Sequence, residues 1–239
     1  MISYKKILSN SLKAFISKPF VVIPSILLFL FFFFLSILAQ KIQTRLNTNT
    51  ELIIFTVIST LLIFLVMSFF FSLLIIISKQ ALKGKFEINY AIKNSFKQTF
   101  KLFAIILITL LIYNIIQQIV YYLSTFIGHS LSLELNSAKF IYFILYFIGL
   151  SGILIFISLS TFILILKDKS ILESISESVK IVKENYLLVL SVFVVIFAIS
   201  EVSLLIHSIL KESLNILIIT PLISLIFTNL ILDNDIRTK

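Results

Sequence analysis

The stretch INYAIKNSFKQTFKLF, residues 88–103, decides how the rest of the chain reads. Lys93, Lys97 and Lys101 stand one helical turn apart, while Ile88, Ile92, Phe96, Phe100 and Phe103 recur at helical spacing opposite them. The segment then passes directly into apolar sequence. This pattern predicts an amphipathic helix in the headgroup region of a membrane, feeding a transmembrane helix. Residues 170–186 repeat it with Ile171, Ile175, Val179, Val182 and Tyr186. Ser170 and Glu173 have capping-box spacing, which gives that helix a definite start. Near the beginning, Tyr4, Leu8, Leu12 and Phe15 follow the same rhythm until Pro19 stops the helix.

The bulk composition agrees with a bilayer as the solvent. Of 239 residues, 59% are hydrophobic and 13% charged, and the mean hydropathy is +1.14, too little polar surface to cover a soluble domain of this size. Without cysteine the chain has no disulfide, thiolate metal site or cysteine nucleophile, and two distant histidines, His129 and His207, do not suggest a metal cluster. The first apolar run starts only at Phe20 and shows no small-residue cleavage site, so it reads as a retained span.

Six apolar segments approach or exceed the roughly 20 residues a helical span needs: 20–39, 52–78, 102–127, 140–166, 186–209 and 214–232. They are continuously apolar instead of alternating, which favours helices over barrel strands. The predicted fold class is all-α: a polytopic membrane protein with six transmembrane helices and basic amphipathic interfacial helices, forming one integral membrane domain over 1–239. Sixteen of the twenty Lys and Arg residues fall on one side of these spans; only Lys41, Arg45, Lys139 and Lys211 fall on the other. The positive-inside bias then puts both termini in the cytoplasm of a cell-membrane protein.

An internal repeat is written across the lysine helices. NSLKAF at 10–15, NSFKQT at 94–99 and ESVKIV at 177–182 each carry Ser, an apolar residue and Lys, with Ser11, Ser95 and Ser178 separated by 84 and 83 residues. Each copy continues into two spans, giving three candidate units of surface helix plus hairpin at 1–78, 79–166 and 167–239. With ISKPFVVIP at 16–24 and the basic helices that feed directly into spans, the chain resembles uncharacterised prokaryotic six-span proteins. These are similar to the membrane domain attached to some glycerophosphoryl diester phosphodiesterases. What the resemblance implies is the membrane module alone, because the phosphodiesterase chemistry of that family sits in a separate soluble barrel.

Two groups of residues carry functional expectations. Glu201 is the one carboxylate inside a span, about 22 Å beyond Tyr186, where a charge costs roughly 2.5–3.5 kcal/mol. Asn114, Gln117 and Gln118 of the third span and Thr220 of the sixth, next to the kink expected at Pro221, lie at similar depth and complete a candidate polar cluster. Its bland reading is interhelical hydrogen bonding, worth on average about 0.6 kcal/mol per bond. The second group is Lys83, Lys85, Lys93, Lys97 and Lys101, expected to contact anionic headgroups of the cytoplasmic leaflet at about 1 kcal/mol each. Nucleic acid is a poor partner, since the aromatics lie on the apolar face and do not interleave with the charges.

No phosphate loop, metalloprotease motif, nucleophile elbow or paired-carboxylate constellation appears, so no catalytic residue, metal or cofactor is assigned. The expectation is a non-enzymatic integral membrane protein, a lipid-contacting scaffold or the membrane partner of another protein. The alternative is a small permease or proton-coupled transporter using the intramembrane carboxylate.

Overall fold

Helices account for all the regular structure in the described part of the computed structural model, which covers residues 4–44, 48–130, 155–202 and 215–237 with two short helical pieces at 141–142 and 144–145. The chain order is α1 (Tyr4–Ser17), a 3₁₀ turn (Pro19–Val22), α2 (Ile23–Gln43), α3 (Asn49–Lys83), α4 (Ile88–Ser130), α5 (Ser160–Lys167), α6 (Ile171–Glu184), α7 (Tyr186–Val202), a π turn (Asn215–Ile219) and α8 (Thr220–Arg237). Four helical stretches are long and apolar enough to cross a bilayer: Pro19–Ile42, Asn49–Lys83, Ile88–Gly128 and Asn215–Ile236. The expected spans at 140–166 and 186–209 fall partly outside the described residues; Ile155–Lys167 and Tyr186–Val195 are apolar helix.

Local chemistry sets the helix limits. α3 starts on a capping box, with the Glu51 N–H donating to Thr48 Oγ1 at 3.2 Å and the Thr48 N–H to the Glu51 carboxylate at 3.3 Å. α6 starts on the box expected at Ser170 and Glu173. Pro19 lacks the N–H that would continue α1, and the backbone turns there before α2 begins. At the end of α6, Asn185 leaves helical geometry and its buried amide donates to the Ile181 carbonyl at 2.9 Å. Pro221 was expected to kink the last span. The structure accommodates it with the π turn at Asn215–Ile219, whose wider spacing precedes the missing N–H.

The core lies where α3, α5 and α8 pack against one another. Leu73 to Ile77, Ile163 to Ile165, Leu225, Leu230 and Ile231 are buried there. Small hydroxyl residues allow the close approach: Ser78 and Ser224 are hydrogen-bonded across helices at 2.9 Å, and Ser68, Ser72, Ser160 and Thr228 are fully buried. By contrast the first half of α3 exposes Leu52, Ile53, Ile54, Val57, Ile58, Leu61 and Leu62. So extensive an apolar surface is poorly suited to water and well suited to lipid.

The lysine helices sit at one end of this core, together with the end of α8. α1 packs on α8, the start of α4 on α3, and α6 on α5. Asn229 of α8 donates to the Ile7 carbonyl and to Ser11 Oγ, at 3.1 and 3.3 Å. Ser178 of α6 donates to the Phe156 carbonyl at 2.7 Å. Ser11, Ser95 and Ser178 are each 0% exposed. The residues four before them (Ile7, Ala91, Ser174) and three after (Ala14, Gln98, Ile181) are buried as well.

This adds a face that the apolar stripes did not reveal. On the first turns of α4, the lysines occupy one sector, the serine-centred stripe faces the protein, and Phe96 and Phe100 remain 63% and 72% exposed. A second difference concerns continuity: the lysine-striped segment is no separate surface helix but the opening of the unbroken 43-residue α4. At 1.5 Å per residue α4 is about 65 Å long, so it extends well beyond a hydrocarbon core of about 30 Å.

Replacing Ser178 by Leu should overpack this contact and cost about 2 kcal/mol. Ser178→Ala removes only the hydrogen bond and should cost about 1 kcal/mol. Thermal unfolding of the detergent-solubilised protein measures both; equal midpoints for all three proteins would show that the serine face is not packed.

Candidate functional site: the basic end of the bundle

The polar chemistry of the described chain is concentrated where α3, α5 and α8 end. α5 stops at Asp168, whose φ of 51° is left-handed, a conformation that Asp tolerates better than most residues. Its carboxylate receives Gln98 Nε2 at 2.8 Å, Lys101 Nζ at 2.8 Å and Lys97 Nζ at 2.7 Å, all from the first turns of α4. The Gln98 bond first, then those from Lys101 and Lys97, hold Asp168 well below the ordinary carboxylate range.

A second group lies between α5, α6 and α8. Lys167 bonds both Glu177 and Asp235, and Lys169 pairs with Glu177 at 2.6 Å. Partial burial pulls Lys167 down, but Asp235 and Glu177 outweigh it and its pKa lies above the usual lysine value. Burial pushes Glu177 up, and Lys167 and Lys169 more than reverse that, leaving it low. Two further lysines cap helix ends: Lys79 donates to the Leu166 carbonyl at 3.1 Å, and Lys18 donates to the Ala81 carbonyl.

α3 ends on a Schellman motif. The Lys85 N–H bonds the Gln80 carbonyl at 3.0 Å and the Gly84 N–H the Ala81 carbonyl at 3.2 Å, with Gly84 at φ 74°. Between this end, α1 and the end of α8 opens a cleft of about 700 Å³, bordered by Lys6, Lys13, Lys18 and Lys83, with Asp233 and Asp235 on its far wall. Among the described residues no cluster of three His, Asp or Glu side chains could hold a metal ion.

The expected site residues divide. Lys83 borders the cleft, Lys85 and Lys93 are exposed, and Lys97 and Lys101 hold Asp168, Lys97 staying exposed and Lys101 half-buried. In the candidate polar cluster, Asn114 is exposed and donates to the Leu110 carbonyl at 2.8 Å, and Thr220 donates to the Asn215 carbonyl at 2.8 Å. Gln117 is half-buried and Gln118 exposed. Asn114 and Thr220 therefore spend their donors on their own chain segment instead of on each other. Glu201 is in helix α7, but its side chain lies outside the described residues, as does His207.

Asp168 and Gly84 were missed by sequence reasoning, although a signal for them exists. Leu-Lys-Gly-Lys at 82–85 and Leu-Lys-Asp-Lys at 166–169 are 84 residues apart, the spacing already seen between Ser11 and Ser95.

These features define an all-helical protein with an apolar, membrane-compatible flank and a basic, ion-paired end. The chain belongs to the family described as Domain of unknown function (DUF7847), which matches residues 7–231 and so runs from α1 into α8. No curated protein and no solved structure matches it.

The carboxylate shifts give a pH signature. Asp168 and Glu177 have folded pKa values depressed from 3.8 and 4.5, so their stabilisation is present above those values and is lost as pH falls through the folded pKa. Lys167 is raised from 10.5, so its contribution is present below that value and is lost as pH rises through the folded pKa. The thermal midpoint in detergent should fall below about pH 4. Asp168→Asn should cost about 0.5–1 kcal/mol at neutral pH, discounted because the side chain is 46% exposed, and should flatten part of the acid limb. An acid limb identical to the wild type's would exclude Asp168 from it.

Proposed function

We propose that this is a non-enzymatic multi-pass protein of the cell membrane, crossing it six times and built from three helix-plus-hairpin units. It serves as a lipid-contacting scaffold or as the membrane partner of another protein. Its basic end faces the cytoplasm with both termini, and Lys83, Lys85 and Lys93 meet anionic headgroups while Lys97 and Lys101 divide their charge between lipid and Asp168.

The observation that carries this reading is the cyclic packing at the basic end. The helix opening the second unit rests on the second span of the first, the helix opening the third rests on that of the second, and α1 rests on α8, the last span. Ser11, Ser95 and Ser178 are each fully buried on these three helices, which supports a face repeated from unit to unit. The core inside the ring holds aliphatic and small hydroxyl side chains, as a supporting bundle would. A scaffold also suits the locally bonded Asn114 and Thr220, whereas a permease working through Glu201 would draw on these donors.

Because the chain lacks cysteine, single-cysteine variants report topology directly. Lys93→Cys and Lys180→Cys, both at exposed positions, should resist an impermeant maleimide in intact cells and react after permeabilisation. Asn49→Cys, at the start of α3, should react from outside. Labelling of positions 93 and 180 from opposite faces would refute the three-unit topology.

A further inference from the structure

Resting on the three-unit reading, a comparison of two junctions that should be alike points to a ligand. Gly84 and Asp168 are 84 residues apart, each follows a lysine, each has left-handed backbone and each closes a second span. The helix that faces each junction shifts by the same interval, so Lys13 corresponds to Lys97. At the later junction the ammonium groups of Lys97 and Lys101 close on the Asp168 carboxylate. At the earlier one glycine offers no side chain. A Cβ placed on Gly84 would stand 3.9 Å from Lys18 Nζ, and no other atom beyond its immediate chain neighbours would come within 4 Å.

Lys18, whose ammonium lies nearest that vacant position, and Lys83, the residue before Gly84, both border the cleft of about 700 Å³. Four lysines, Lys6, Lys13, Lys18 and Lys83, border it against Asp233 and Asp235, and Asp235 is already held by Lys167. Among the described residues Lys6, Lys13 and Lys83 form no ion pair. The cleft therefore has a surplus of cationic groups around a position where the next unit carries a carboxylate. On the adjoining face of α1, Leu12 and Ile16 are exposed and apolar. A ligand with an anionic head and an acyl tail matches both surfaces.

We propose that this cleft binds the phosphate of an anionic membrane lipid, which takes the place that the Asp168 carboxylate fills one unit later. Glycine at position 84 is the specificity element, because it leaves room for a ligand where its counterpart supplies the anion from the chain itself.

Thermal unfolding of the full-length protein in a neutral detergent tests this. Short-chain phosphatidylglycerol should raise the wild-type midpoint by about 3 °C and phosphatidylcholine should not. Lys13→Gln should lose most of the rise. Gly84→Asp should melt higher than Gly84→Asn without additive and should no longer respond to phosphatidylglycerol. A rise with inorganic phosphate and none with phosphatidylglycerol would support the anion site but give it a free phosphate in place of a headgroup. No shift with either ligand, or an undiminished response in Gly84→Asp, overturns the site. That failure would leave the cysteine-labelling topology intact, so the two proposals fall separately.

Discussion

The C-terminal ends of α3, α5 and α8 meet at one end of the bundle, and much of the polar chemistry follows from that convergence. A helix end leaves its last carbonyls without intrahelical partners and carries a partial negative charge. Three such ends side by side concentrate both problems. Lysine answers both, since an ammonium group donates to free carbonyls and offsets the dipoles, at about 0.3–1 kcal/mol per favourable placement. Lys79 on the Leu166 carbonyl does this directly, and Lys18 adds a second donor to the Ala81 carbonyl that already accepts from the Gly84 N–H. Lys167, at the end of α5, reaches instead for Glu177 and Asp235 and so joins α5, α6 and α8.

The lysine stripe consequently serves two purposes at once. A positive-inside bias would be met by lysines anywhere near the span ends. Here several are also placed to bind particular acceptors, and the helices that carry them are anchored by a third face of small residues. Lys97 and Lys101 illustrate the division: each remains at least partly exposed, and each contacts Asp168 at 2.7–2.8 Å. An exposed pair contributes little by itself, but two lysines and Gln98 on one carboxylate fix the angle at which α4 meets the end of α5.

Much of the helical framework was legible because apolar run length and lysine placement are strong signals. The capping box at Ser170 and Glu173 is also local chemistry, and it appears where the spacing put it. The serine faces were legible only as a repeat. Ser11, Ser95 and Ser178 stood out by interval, yet hydrophobic patterning directs attention to Phe96 and Phe100, which are exposed. In a bilayer an exposed phenylalanine costs nothing, so the protein-facing stripe is chosen for small size and close approach. Asp168 escaped notice because its role depends on a left-handed backbone and on side chains about 70 residues away. No local pattern announces that.

The three lysine helices also differ in how they continue into the helix that follows. Stepping by the repeat interval from Lys18 leads to Leu102 and then to Asn185. At the first position Pro19 follows and the helix breaks; at the third Asn185 leaves helical geometry and caps α6 with its own amide. At the second, Leu102 is buried apolar side chain with neither device, and α4 continues without interruption. A proline withdraws a backbone donor and an asparagine offers the backbone a competing partner, whereas leucine does neither. Of these three helices only α4 therefore runs unbroken from the side chains that hold Asp168 into a long apolar stretch. Any tilt of α4 must move Lys97, Gln98 and Lys101 with it, whereas a break in helical geometry separates α1 from α2 and α6 from α7.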